Sequence, residues 1–159
     1  MWELLPEARY IGEVGLDFVD KTYHHEQVSF FRDLVERCRY DQSKIMTIHS
    51  RRAAGKVLEL LGDDFRFKAI LHWYTGSKEE MIEAINKGCY ISVNNAMLRS
   101  RRFVELLPLI PPDRILLETD SPFIDFNYTH TNTLRLISSV IKEHKPEIDI
   151  WSNFRRILG

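Results

Sequence analysis

A parallel α/β fold is what the sequence predicts, and three observations carry that expectation. Short apolar runs recur along the chain, at Tyr10-Ile11-Gly12-Glu13, Ile45-Met46-Thr47-Ile48-His49, Ala69-Ile70-Leu71-His72 and Ile115-Leu116-Leu117-Glu118-Thr119-Asp120. Longer stretches between them place apolar residues at helical spacing, the alternation expected of buried parallel strands joined by helices. Each run also ends on a polar residue, Glu13, His49, His72 or Asp120. The C-terminal ends of barrel strands are where an α/β barrel builds its chemistry.

The elements follow in order. After the first run, Phe30, Phe31, Leu34, Val35 and Cys38 repeat at helical spacing with charged residues between them. The second run is followed by a helix carrying Ala53, Ala54, Val57, Leu58, Leu60 and Leu61, with Gly62 as its stop. The third precedes a helix opened by Ser77, with Glu80 three residues on as in a capping box, Met81, Ile82 and Ile85 on its apolar face, and Gly88 at its end. Tyr90-Ile91-Ser92-Val93 reads as a further strand, followed by a basic segment and an apolar helix through Phe103, Val104, Leu106 and Leu107. Pro111-Pro112 punctuates before the last strand. Beyond Asp120, a helix is expected from about Thr133 to Glu143 and a short final one around Trp151, Phe154, Ile157 and Leu158.

The totals bound the function. With 159 residues and 44% hydrophobic content, the chain has enough apolar material for a substantial core and is expected to form one domain, 1–159. Its 22 basic and 23 acidic side chains nearly cancel, so binding to anions must be local. No apolar run approaches membrane-spanning length and no leader pattern opens the chain, so a cytoplasmic protein is expected. Cys38 and Cys89 lie far apart and outside any C-x-x-C pair, which fits reduced thiols packed in a core.

Glu13 lies in Gly12-Glu13-Val14-Gly15, where flanking glycines would let backbone and ligands approach closely; the competing account is a tight turn with an exposed acid. His49 and His72 recur at equivalent positions of successive units, which weakens the ordinary account of each as a satisfied core histidine. Asp120 is a metal ligand, a general base or a helix N-cap. Imidazole and carboxylate together suit a divalent ion, zinc, manganese or iron, with magnesium if oxygen ligands dominate. Such an ion lowers the pKa of bound water and neutralises developing charge, so the implied reaction is hydrolysis. Arg51 and Arg52, and the cluster Arg99-Ser100-Arg101-Arg102, could meet phosphate oxygens or simply be solvated helix starts. Trp73 and Tyr74 could stack on a base or pack internally. His24, His25 and His130 lack strand context and are expected at the surface.

Gly12-Glu13-Val14-Gly15-Leu16-Asp17, His49-Ser50-Arg51-Arg52-Ala53, His72-Trp73-Tyr74-Thr75-Gly76-Ser77 and Leu117-Glu118-Thr119-Asp120-Ser121-Pro122 resemble, in order and in strand placement, successive motifs of the TatD family of metal-dependent deoxyribonucleases. The resemblance implies a TIM-type barrel, divalent metal ions (Mg, Mn or Zn) and hydrolysis of DNA phosphodiesters, commonly from single-stranded or 3′ ends. Carried over, Glu13 is the carboxylate shared by two metals, His49 and His72 are ligands of one, and Asp120 is a ligand of the other and partner of the attacking water. Glu13 and Asp120 are thus the implied catalytic pair; Arg51 also matches the family pattern, and it and Arg52 are the candidate substrate-binding residues.

The family's opening H-x-H on its first strand has no counterpart here. A full barrel needs about 250 residues and eight strands, and the motifs present correspond to the fourth to eighth. The expectation is an incomplete TIM-type (β/α) barrel of about five strands, the C-terminal portion of a family member, completed by the missing segment, a protein partner or self-association. Trp73-Tyr74, Ser92-Val93-Asn94-Asn95 and Phe126 to Asn132 depart from the family pattern and point to a divergent branch of the antiphage-defence kind. Two alternatives stand beside the nuclease: a non-catalytic partial-barrel subunit that binds a protein, and a metal hydrolase of small phosphoesters or amides.

Overall fold

The computed structural model describes residues 2–19, 21–124 and 130–159, which gather into two compact units, Met1–Gly76 and Ser77–Gly159. The first contains strand β1 (Tyr10–Asp17), helix α1 (His24–Cys38), strand β2 (Ile45–Arg51), helix α2 (Ala54–Leu61) and strand β3 (Lys68–His72). β2 pairs in parallel with β1 on one side and β3 on the other. Its Ile45, Met46, Ile48 and Ser50 are buried, which explains its nearly unbroken apolar sequence. α1 turns Phe31, Leu34, Val35 and Cys38 inward, one stripe at helical spacing, and α2 does the same with Val57, Leu58 and Leu61. Gly62, at φ 69°, ends α2 while its N–H donates to the Leu58 carbonyl. Arg39 donates to the Leu61 carbonyl at 2.8 Å, tying the end of α1 to the end of α2.

Two expectations need correction in this unit. β1 does not stop at Glu13 but runs four residues further, because a register shift between Ile11 and Val14 lets the strand pass the glycines and keep pairing with β2. Glu13 therefore lies within the strand. His24 and His25 open α1; His25 is exposed as expected, whereas His24 is half-buried with its ring 4.3 Å from that of Phe18.

The second unit contains α3 (Lys78–Asn86), β4 (Tyr90–Val93), α4 (Asn95–Arg99), α5 (Arg101–Leu106), β5 (Ile115–Leu117), α6 (His130–His144) and α7 (Ile150–Leu158). β4 and β5 pair in parallel, with Ile91 beside Ile115 and Val93 beside Leu117. α3 opens as its sequence foretells: the Glu80 N–H donates to Ser77 Oγ at 3.1 Å, and the Ser77 N–H donates to Glu80 Oε2 at 2.6 Å. Ser77→Ala is expected to lower stability by about 1 kcal/mol, read as a lower urea midpoint at unchanged slope. The basic segment after β4 is itself helical, forming α4 and the start of α5. Asn153, buried on α7, donates from Nδ2 to the carbonyls of Pro112 at 2.6 Å and Ile115 at 2.8 Å, fastening α7 to the entry of β5. α6 begins at His130, three residues before the position expected from periodicity. The sequence departure at Phe126 to Asn132 lies largely outside the described residues.

Both cysteines are free and buried, as their spacing implies. Burial raises the Cys38 thiol pKa and pushes that of Cys89 up to about 12. Alkylation at pH 8 is therefore expected to spare both thiols in the folded protein and to label both after unfolding.

Candidate metal centre

The site grows out of the pairing of β1 with β2. Glu13, Gly15 and Asp17 occupy alternate positions on β1 and so share a face. Gly15 is the register partner of His49, so the imidazole of His49 stands with Glu13 to one side and Asp17 to the other. Glycine at position 15 is a steric requirement: its φ is +140°, and a Cβ there would overlap the His49 carbonyl and lie 2.8 Å from the His49 amide nitrogen. On the far side, Ile48 of β2 pairs with Leu71 of β3, so His49 and His72 follow side by side, their rings 6.0 Å apart.

Glu13 Oε1 lies 2.7 Å from His49 Nδ1 and 3.5 Å from His72 Nε2. One ligand atom from each of the three residues falls within 4.8 Å of the others. Ligand atoms about 2.1 Å from a common ion in tetrahedral arrangement stand roughly 3.4 Å apart, so the Glu13–His72 spacing already suits one ion and the Glu13–His49 contact needs to open by less than about 1 Å. The donor set, one carboxylate and two imidazoles, is one used for divalent ions in hydrolases. The exposure gradient suits an open catalytic position: the His72 side chain is 7% exposed, that of His49 30% and that of Glu13 44%. The residues fit the ion.

Asp120 stands in the second unit, three residues beyond the end of β5. It is half-buried, and its carbonyl accepts from the Phe123 N–H at 2.9 Å and the Ile124 N–H at 3.3 Å. A turn, rather than a helix, follows it over the described residues 121–124, which removes the simple N-cap account. The grouped ligand atoms are those of Glu13, His49 and His72, all from the first unit.

Arg52, Trp73 and Asp120 are the non-glycine residues with left-handed backbone among those described, at φ 54°, 38° and 53°. They follow β2, β3 and β5 respectively, so each lies just beyond the end of a strand. Such conformations cost of order 1–3 kcal/mol each and concentrate at functional sites. Arg51 and Arg52 are both exposed, and Arg51 Nη1 lies 3.8 Å from Asp17 Oδ2. Tyr74 is 2% exposed and belongs to the core, which excludes it as a base-stacking platform; half-buried Trp73 meets His72 edge-on.

Two acids in the quoted motifs have roles that their positions alone did not assign. Asp17 faces the far nitrogen of His49 at 3.5 Å. Its signal was the alternate spacing Glu-x-Gly-x-Asp on one strand. Glu118 accepts from Asn94 Nδ2 at 2.9 Å and from Ser92 Oγ, while Asn94 Oδ1 accepts from the Met97 N–H at 3.0 Å and caps α4. This network joins the ends of β4 and β5 two residues before Asp120. Only the strand register could have announced it.

Adjacent parallel strands that bring a Glu/His/His group together, with helices between them, have the build of a divalent-metal hydrolase. The TatD-related DNase family model matches residues 3–150, and the chain belongs to that family. A 3′-5′ ssDNA/RNA exonuclease TatD of Citrobacter rodentium is 37% identical over 128 residues, covering 76% of this chain and 48% of the relative. The Escherichia coli K12 protein of the same name is 36% identical over 126 residues, covering 75% and 48%. The chain thus spans about half the length of the curated relatives it matches. In fold it is similar to a TatD-family hydrolase from Entamoeba histolytica (TM-score 0.72, 20% identity, 99% of this chain and 63% of that one). It is likewise similar to a TatD homologue from Escherichia coli K12 (TM-score 0.74, 20% identity, 89% and 59%). The parallel α/β chain therefore corresponds to part of a TatD-type barrel.

Proposed function

We propose that this chain carries the metal-binding half of a nuclease that hydrolyses phosphodiester bonds of DNA, acting on single strands or 3′ ends. The observation that carries the reading is the Glu13, His49 and His72 group, whose ligand atoms lie within 4.8 Å of one another. Relatives named as single-strand exonucleases support the substrate class. A zinc, manganese or magnesium ion held there would lower the pKa of a bound water and neutralise charge on the phosphoryl oxygens. Glu13 holds the ion and balances its charge. Asp120 would serve as a ligand of a second ion and as the partner of the attacking water, the role its place in the family pattern implies. Arg51 and Arg52, exposed beyond His49, receive the phosphate oxygens with their planar guanidinium groups.

The outer edge of β1 has no paired strand among the described residues. That edge supports a second element of the proposal, that further polypeptide, from the same protein or a partner, completes the barrel and the second metal position. No described helix is long and apolar enough to cross a membrane, and the proposed setting is the cytoplasm.

The test is release of nucleotides from a 3′-labelled single-stranded oligonucleotide with manganese or magnesium, before and after chelation. Release that stops on chelation and resumes on readdition of the ion is expected. Release that chelation leaves unchanged contradicts a metal-dependent site. No release with any ion, from a protein that binds metal, moves this chain to the non-catalytic subunit reading.

A further inference from the structure

We propose that Asp17 is the positioning residue of the metal centre: it holds the proton of His49 on Nε2 and so leaves the Nδ1 lone pair free for the ion. The inference rests on the metal-site reading above and names how that site is set.

The geometry points both faces of the imidazole to carboxylates. Nδ1 is on the side of Glu13, 2.7 Å from its Oε1. Nε2, the other ring nitrogen, lies 3.5 Å from Asp17 Oδ2. Nε2 is also buried from solvent and has no hydrogen-bond partner, so its polar requirement is unmet as it stands. A movement of about half an ångström brings it within hydrogen-bonding range of Asp17. Displacement of His49 Nδ1 from Glu13 toward an ion is of that size. A carboxylate that accepts the second N–H of a metal-bound histidine fixes its tautomer and raises its basicity.

Asp17 is itself held for this task. Its Oδ1 accepts from the Val19 N–H at 2.9 Å, which turns Oδ2 toward His49. Its own N–H donates to Gln27 Oε1 on α1 at 2.8 Å. Arg51 Nη1 lies 3.8 Å from Oδ2. The strand register places Asp17 beside Arg51 and Gly15 beside His49, so the whole arrangement follows from one pairing of β1 with β2.

This orientation makes Asp17→Asn informative. The Val19 N–H needs an oxygen acceptor, so the amide would present Oδ1 there and Nδ2 toward His49. An N–H donor facing Nε2 favours the opposite tautomer, with the proton on Nδ1, where the ion must bind. Calorimetric titration with zinc or manganese should show affinity reduced 10–100-fold, the range for loss of such a partner. The thermal midpoint of the metal-free variant, measured alongside, separates this from failure to fold. Independently of any variant, nitrogen-15 spectra of the zinc-loaded wild-type protein should place the His49 proton on Nε2 and the metal on Nδ1. Equal affinity for wild type and Asp17→Asn, or metal on Nε2 in wild type, overturns the role of Asp17 and leaves the metal centre standing. A wild-type protein that binds neither ion overturns both.

Discussion

Glu13→Gln is expected to lower metal-dependent nucleotide release by at least about 10³-fold, equivalent to roughly 4 kcal/mol of transition-state stabilisation. Glutamine keeps the size of the side chain, so the bulged β1 backbone is preserved while the charge that balances the ion is lost. Glu13 is the shared contact of the group, within 2.7 Å of His49 and 3.5 Å of His72. His72→Ala should match the loss, with the added cost of a cavity at a residue that is 6% exposed. The comparison is made at saturating metal and then over a metal titration. If the loss is recovered at high metal, Glu13 acts in holding the ion; a loss that persists assigns it a part in the reaction as well. Rates within a few-fold of wild type for both variants contradict the site.

Gly15→Ala is expected to destabilise the protein by about 3 kcal/mol or more, combining the strain of an L side chain in a glycine conformation with overpacking against a rigid neighbour. The neighbour is the backbone of His49, which cannot rotate away as a side chain would. For a chain of this size that corresponds to a fall in melting temperature of roughly 6 °C or more. The substitution also presses on the residue that bears a metal ligand, so metal affinity should fall with stability. Thermal unfolding with and without added zinc reads both effects. A melting temperature within 2 °C of wild type (about 1 kcal/mol or less) contradicts the close approach of β1 to β2 at this point.

The strands and helices of the first unit are legible in the sequence because each has one dominant pattern. Ile45 to Ile48 is buried almost throughout, and the apolar residues of α1 and α2 each fall on one stripe. Ser77 and Glu80 declare the start of α3 by chemistry that acts within four residues, so no tertiary information is needed to find it. The end of β1 is hidden for the opposite reason. Glycine, glutamate and glycine argue against a strand locally, and only pairing with β2 carries the chain on to Asp17.

The candidate site divides along the same line. Glu13, His49 and His72 are visible because each is a polar residue beside an apolar run, and the structure gathers their ligand atoms. Asp17 escapes notice because an acid near a turn is ordinary until the register sets it beside the His49 imidazole. The brace of Ser92, Asn94 and Glu118 depends on which residues of β4 and β5 lie opposite one another, and composition carries no trace of that. Tyr74 shows the converse: beside a ligand in sequence, it points into the core.

The most direct measurement is anomalous diffraction from crystals grown with zinc or manganese. The predicted result is a peak with Glu13, His49 Nδ1 and His72 as ligands, about 2.0–2.2 Å from the ion, and absent in Glu13→Ala crystals. An ion bound elsewhere, or a Glu13–His49 contact that stays at 2.7 Å at saturating metal, would contradict the account.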